Sequence, residues 1–361
     1  MAATLLLGSC GPTEVLVGDA PGVARVVLGV LGVPYAVSSF LDTAVVGDAL
    51  KIPIGTSAGV AAAEDGSFYS SDPIHRRVAF VSSDGQVSWP IGRGICGFPG
   101  TGGPEAANLC LSLPTALALE ADGGLLIADP GANIVYRYLP ESGEVERVLG
   151  SGRVGLAADG STAASSETNR PEDVAVGPDG SVFVAESGNN RVIRIDGGVI
   201  RVIAGTGAVG DSGDGGAAAE ARLRRPEGLA WMGDTLYIAD TGNNRIRRVI
   251  DGIIHAYAGL GAPGFAGDGT AAALALFARP GRMAAFGTLL FIADRDNNRV
   301  RVIRVGPDSI ATFGGTGRYA VGENLLEIGR TALATPAGVA VAGRAVFIAD
   351  SGAFVVRRVI R

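Results

Sequence analysis

Residues 170–205 read RPEDVAVGPDGSVFVAESGNNRVIRIDGGVIRVIAG, and four short apolar runs separated by tight-turn signals decide the fold. Asp173 to Val176 reads as a first strand, Gly177 to Gly180 as a hairpin turn and Ser181 to Ala185 as a second strand. Glu186 to Asn190 reads as a loop and Arg191 to Ile195 as a third strand. Asp196 to Gly198 reads as another turn, and Val199 to Ala204 as a fourth strand. Short runs rich in Val and Ile, bounded by Gly, Pro, Asp and Asn, mark antiparallel hairpins. One four-stranded sheet of this size buries too little to stand alone.

The same unit recurs six times. A carboxylate closes a short run at Asp72 (FYSSD), Asp129 (LLIAD), Glu186 (VFVAE), Asp240 (LYIAD), Asp294 (LFIAD) and Asp350 (VFIAD), at intervals of 57, 57, 54, 54 and 56 residues. Upstream of each lies a second anchor: TSAGVAA from Thr56, LPTALAL from Leu113, RPEDVAV from Arg170, RPEGLAW from Arg225, RPGRMAA from Arg279 and TPAGVAV from Thr335. Such a period signals a repeat architecture in which each sheet covers its neighbour. Radial closure removes the exposed sheet edges, so the expected fold is all-β: a six-bladed β-propeller of four-stranded antiparallel blades. The sixth unit ends at Arg361 after its third strand, while GVARVVLG at 22–29 aligns with GVIRVIAG at 198–205. Val23 to Leu28 is therefore expected to complete the sixth blade. The chain then divides into an N-terminal segment, 1–21, and a propeller, 22–361.

These residues resemble NHL repeats, whose units start Pro-Gly-Val-Ala and carry a Val-Tyr-Ile-Ala-Asp strand and a Gly-Asn-Asn-Arg-Ile loop. The units from Arg170, Arg225 and Arg279 match closely, that from Thr335 well, and those from Thr56 and Leu113 loosely. The connectors GTGAVGDSGDGGAAAEARLRRP from Gly205 and GLGAPGFAGDGTAAALALFARP from Gly259 are similar to those of a bacterial surface subgroup. Their Ala-rich segments read as one or two helical turns capped by Asp214 and Asp268.

Composition agrees with a turn-rich β protein. Of 361 residues 56 are Gly, about twice the usual share, and 47% are hydrophobic against 18% charged, enough to build a core. A formal net charge of −6 gives no overall attraction to phosphate backbones, so nucleic acid is not an expected partner. No run of 18 apolar residues occurs, so no transmembrane helix is expected. Leu7-Gly8-Ser9-Cys10 reads as a lipobox with Cys10 as the lipidation candidate, and equally as an ordinary apolar start with a chance cysteine. Cys96 and Cys110 read either as a disulfide or as two buried thiols. The expectation is an exported chain, periplasmic or at the cell surface.

Several motifs imitate enzyme signatures. GTGAVG from Gly205 fits a dinucleotide fingerprint, but GRGICG, GSGRVG and GLGAPG recur at Gly92, Gly150 and Gly259 with no βαβ context. GTSAG around Ser57 aligns with a blade's first strand, not with a strand-to-helix elbow. His75 and His255 are the two histidines, too few for the three-histidine zinc site of amidating lyases built on a related propeller. The six repeated carboxylates could crowd oxygens for calcium. Their repetition reads more simply as structural, each accepting loop N–H bonds or pairing with Arg191, Arg245 or Arg299. Asp211 and Asp214 in GDSGDGG could likewise hold calcium, but read more simply as a turn and helix cap.

Residues at the channel mouth that differ between blades are the better binding candidates: Arg170, Glu172, Arg225, Glu227, Arg279, Arg282, His75 and Arg295. A mixed ring of guanidinium and carboxylate groups suits a peptide or an anionic group held by bidentate contacts, or stands as a solvated rim with no ligand. The functional expectation is a non-enzymatic platform for a protein or glycan partner, with no catalytic residue and no cofactor. Its alternative is a calcium-dependent hydrolase or lyase at the channel mouth.

Overall fold

A computed structural model describes residues 47–48, 57–94, 105–320 and 331–360. They form six antiparallel sheets around a central axis, a six-bladed β-propeller. Blade three comprises Pro171–Val176, Val182–Glu186, Arg191–Asp196 and Val199–Ala204, in that order from the axis outward. Its first strand thus begins two residues earlier than expected. Proline is tolerated as the first residue of a strand, and an irregularity in register between Pro171 and Asp173 takes up the extra residue. The expected loop after Glu186 is one 3₁₀ turn, Ser187–Asn189, closed by left-handed Asn190.

Blades two, four and five repeat this four-stranded order. Blade one gains a fifth strand, Gly47–Asp48, on its outermost strand Gln86–Ile91. Blade six has three described strands, Pro336–Ala342, Ala345–Asp350 and Val355–Ile360. Val23 to Leu28, expected as its fourth, lies outside the described residues, as do Cys10 and Cys96. Cys110 is buried and disulfide-bonded.

The ring closes through its inner strands and its cores. Innermost strands touch in sequence around the circle, with that of blade six against that of blade one. The six large cores among the described residues each lie between two blades; one joins Val60 and Phe68 of blade one to Phe347 and Val356 of blade six, with the Phe68 and Phe347 rings 5.2 Å apart. Both faces of each blade are therefore covered. This explains why second strands such as VFVAE and LFIAD are buried at nearly every position and read as continuous apolar runs instead of alternating ones.

The paired asparagines of the repeat connect the blades. Asn190 and Asn244 accept the backbone N–H of Arg225 and Arg279 at 3.0 Å, each joining one blade's loop to the start of the next. Asn133 and Asn298 do the same for Arg170 and Thr335. Each of these asparagines has a left-handed backbone, φ 49 to 53°, which Asn tolerates and most residues do not. Asn244→Ala is expected to cost about 1–3 kcal/mol through the lost bond and the strained backbone. Urea denaturation would test this, and an unchanged midpoint would remove the role.

The false cofactor glycines have a backbone reason too. Gly205 has φ 91°, and a Cβ there would meet the Asn190 carbonyl oxygen at 2.5 Å.

Candidate functional site

Antiparallel order places the second-to-third-strand loops and the inter-blade connectors at one end of the axis. The repeated carboxylates lie beneath this face, each with no solvent exposure. Asp129 accepts the N–H groups of Ser112 and Leu113, both at 2.7 Å. Asp240, Asp294 and Asp350 accept those of Arg224, Ala278 and Ala334 at 2.8, 2.9 and 2.6 Å. Burial pushes Asp240 and Asp294 up to about 6 against these bonds.

The arginine partners differ from those expected. Glu186 does pair with Arg191, but Asp240 faces Arg247 at 3.8 Å, Asp294 faces Arg301 at 3.4 Å and Asp350 faces Arg357 at 2.8 Å. Arg245 instead meets Asp211 at 3.0 Å, and Arg299 donates to the Thr316 carbonyl at 2.8 Å. Strand alternation supplies the reason: a residue two positions on returns to the same face. Asp214 and Asp268 are not helix caps. They take Arg247 and Arg301, each at 2.7 Å, and the short 3₁₀ turns nearby begin after Ala217 and Ala271 with no side-chain cap. Among the described residues no three His, Cys, Asp or Glu side chains are grouped to hold a metal ion. Ser57 is buried with its Oγ 2.9 Å from that of Ser70, which leaves it no nucleophile's access.

At the mouth, Glu227 is the hub. It lies 2.9 Å from Arg295, 3.2 Å from Arg225 and 4.0 Å from Arg279, while Arg170 lies 2.7 Å from Glu172. The two glutamates are buried, whereas the side chains of Arg170, Arg225 and Arg279 are 53, 51 and 48% exposed. All three arginines are the residues whose N–H an asparagine holds, so three neighbouring blades aim guanidinium groups into solvent. The corresponding residues of blades six and two are Thr335 and Leu113. The positive charge is a half-ring. His75 stands apart on blade one, its Nδ1 2.6 Å from Asp72.

Arg282 is not at the rim. Its guanidinium lies on the channel axis just inside the mouth, donating to the carbonyls of Glu172 at 2.7 Å, Ala58 at 3.3 Å and Ala337 at 3.4 Å, on three other blades, and 3.9 Å from the Glu172 carboxylate. Its Nε lies 3.5 Å from Asp173, whose other oxygen accepts the Leu229 N–H at 2.7 Å. Burial pushes Asp173 up to about 7, with the Arg282 charge opposing. The sequence reading missed Asp173. Its signal was present: Asp173 and Arg282 occupy the repeat column that elsewhere holds Gly59, Ala116, Gly228 and Gly338. Beyond this pair, inner-strand residues including Val60, Leu117, Trp231 and Met283 line a channel space of about 300 Å³.

The family model described as NHL repeat matches residues 168–195, in blade three. Teneurin-1 of Mus musculus is 30% identical over 170 residues, 41% of this chain, and the match covers 6% of teneurin-1. An auxiliary nutrient binding protein from Bacteroides ovatus superposes with a TM-score of 0.60 at 16% identity, over 91% of this chain and 75% of that one. A gluconolactonase from Xanthomonas campestris superposes with a TM-score of 0.56 at 17% identity, over 85% and 86%. At these identities the two solved structures share the fold.

Proposed function

We propose that this six-bladed NHL-repeat propeller is a non-enzymatic binding protein, exported to the periplasm or cell surface, that recognises a protein or glycan through anionic groups at its channel mouth. The observation that carries the reading is the half-ring of Arg170, Arg225 and Arg279, half exposed on consecutive blades and oriented by buried Glu172 and Glu227. A guanidinium offers five N–H donors in a rigid fork, and one ion pair leaves several of them for an incoming carboxylate. The disulfide at Cys110 supports an oxidising compartment. The lipobox reading of Cys10 supports a lipid anchor, which mass spectrometry of the membrane fraction would test.

The alternative, a calcium-dependent hydrolase or lyase, draws support from the gluconolactonase that shares the fold. It is the weaker reading because the repeated carboxylates are buried and engaged by backbone N–H groups and arginines. Partner capture by the wild-type protein and by the Arg225→Ala, Arg279→Ala double variant tests the proposal. The variant is expected to recover at least about tenfold less partner, and equal recovery would count against this face. Stoichiometric calcium retained through dialysis would favour the alternative.

A further inference from the structure

Resting on that reading, we infer that the partner is a protein segment in which acidic residues alternate with aliphatic ones, bound across blades three to five. Each exposed arginine ends a connector that also presents aliphatic side chains to solvent. Val154 and Leu156 precede Arg170, Val209 precedes Arg225 and Leu260 precedes Arg279, and these four are 57 to 64% exposed. Leu156 lies over Gly207 of the next connector, so the first two apolar stretches are neighbours.

Charge selects the partner's sign. At the rim Arg170, Arg225, Arg279 and Arg295 face Glu172, Glu227 and Asp296, a local positive excess on a chain whose net charge is −6. An acidic segment is therefore drawn to this mouth and repelled by much of the remaining surface. Apolar chemistry separates protein from glycan. Sugars stack on open aromatic faces, but on the three connectors that end in these arginines the exposed aromatic is Phe265, which carries the Arg299 guanidinium 3.7 Å from its ring centroid, while Tyr319 lies on the connector that leaves blade five. The aliphatic groups beside the arginines suit Val, Leu or Ile side chains of a peptide.

The experiment is selection of a random dodecapeptide display library on the full-length protein, with counter-selection on the Arg225→Ala, Arg279→Ala variant. Enriched peptides are expected to combine Asp or Glu with Val, Leu or Ile. Measured by fluorescence anisotropy, they should bind at least about tenfold more weakly to the arginine variant and also lose affinity to Val154→Ser, Leu156→Ser. Fluorescent oligogalacturonate, an acidic glycan, serves as the second arm and should be insensitive to the serine substitutions. Arginine-dependent binding of oligogalacturonate without any acidic peptide emerging would overturn the protein assignment while sparing the face. Enriched peptides lacking acidic residues, or no arginine-dependent binding of either probe, would overturn both.

Discussion

Arg282→Ala is expected to destabilise the propeller by about 3–5 kcal/mol, the cost of breaking a buried ion pair from one side. Three carbonyl oxygens around the axis lose their donor, and Asp173 is left as a buried carboxylate without its cation. Size is not the obstacle, because blade two carries Ala116 in the same repeat column with no exposure. Adding Asp173→Ala should therefore return part of the loss, since the orphaned charge goes with it. Equilibrium unfolding of the wild type, both single variants and the double variant closes the cycle. Strict additivity would mean that the two side chains do not act as a pair.

The second large effect depends on pH. Burial raises Asp173 to about 7 and Asp240 and Asp294 to about 6, so the folded chain holds protons that the unfolded chain has released. Their contribution to stability is complete below the unfolded carboxylate range near 4 and is lost as pH climbs through 6 to 7. Stability should fall over that window. Asp173→Asn keeps the shape and cannot ionise, so relative to wild type it should be favoured at pH 8 over pH 5 by about 2–3 kcal/mol. Paired urea titrations at the two pH values give this difference directly. A difference that does not change with pH would show Asp173 ionised throughout.

Much of the architecture was legible because the repeat exposes its own grammar. GPDG turns, the carboxylate after each second strand and the Gly-Asn-Asn loops locate blades without reference to contacts. Boundaries were less legible: the start of blade three at Pro171 depends on a register irregularity, which a local pattern does not encode. At the mouth, Arg170, Arg225 and Arg279 were found by asking which residues the blades do not share. The same question singled out Arg282 three columns on but passed over Asp173, which stands in that column of blade three.

The choice of arginine partner was beyond local reading. Arg245 and Arg247 sit two residues apart on one strand, and both are candidates in sequence, yet Arg247 is fully buried against Asp240 and Asp214 while Arg245 meets Asp211. Arg282 looked like a rim residue and proved to be an axial one. The sequence by itself determined the number of blades, the strand order within each and the positions of the turns, because these rest on short-range periodicity and on the backbone freedom of Gly and Asn. Only the tertiary structure decided which charges are buried together and which face solvent. Closing the ring brings residues more than a hundred positions apart, such as Asp173 and Arg282, to one axis, and burial there depends on all six blades at once.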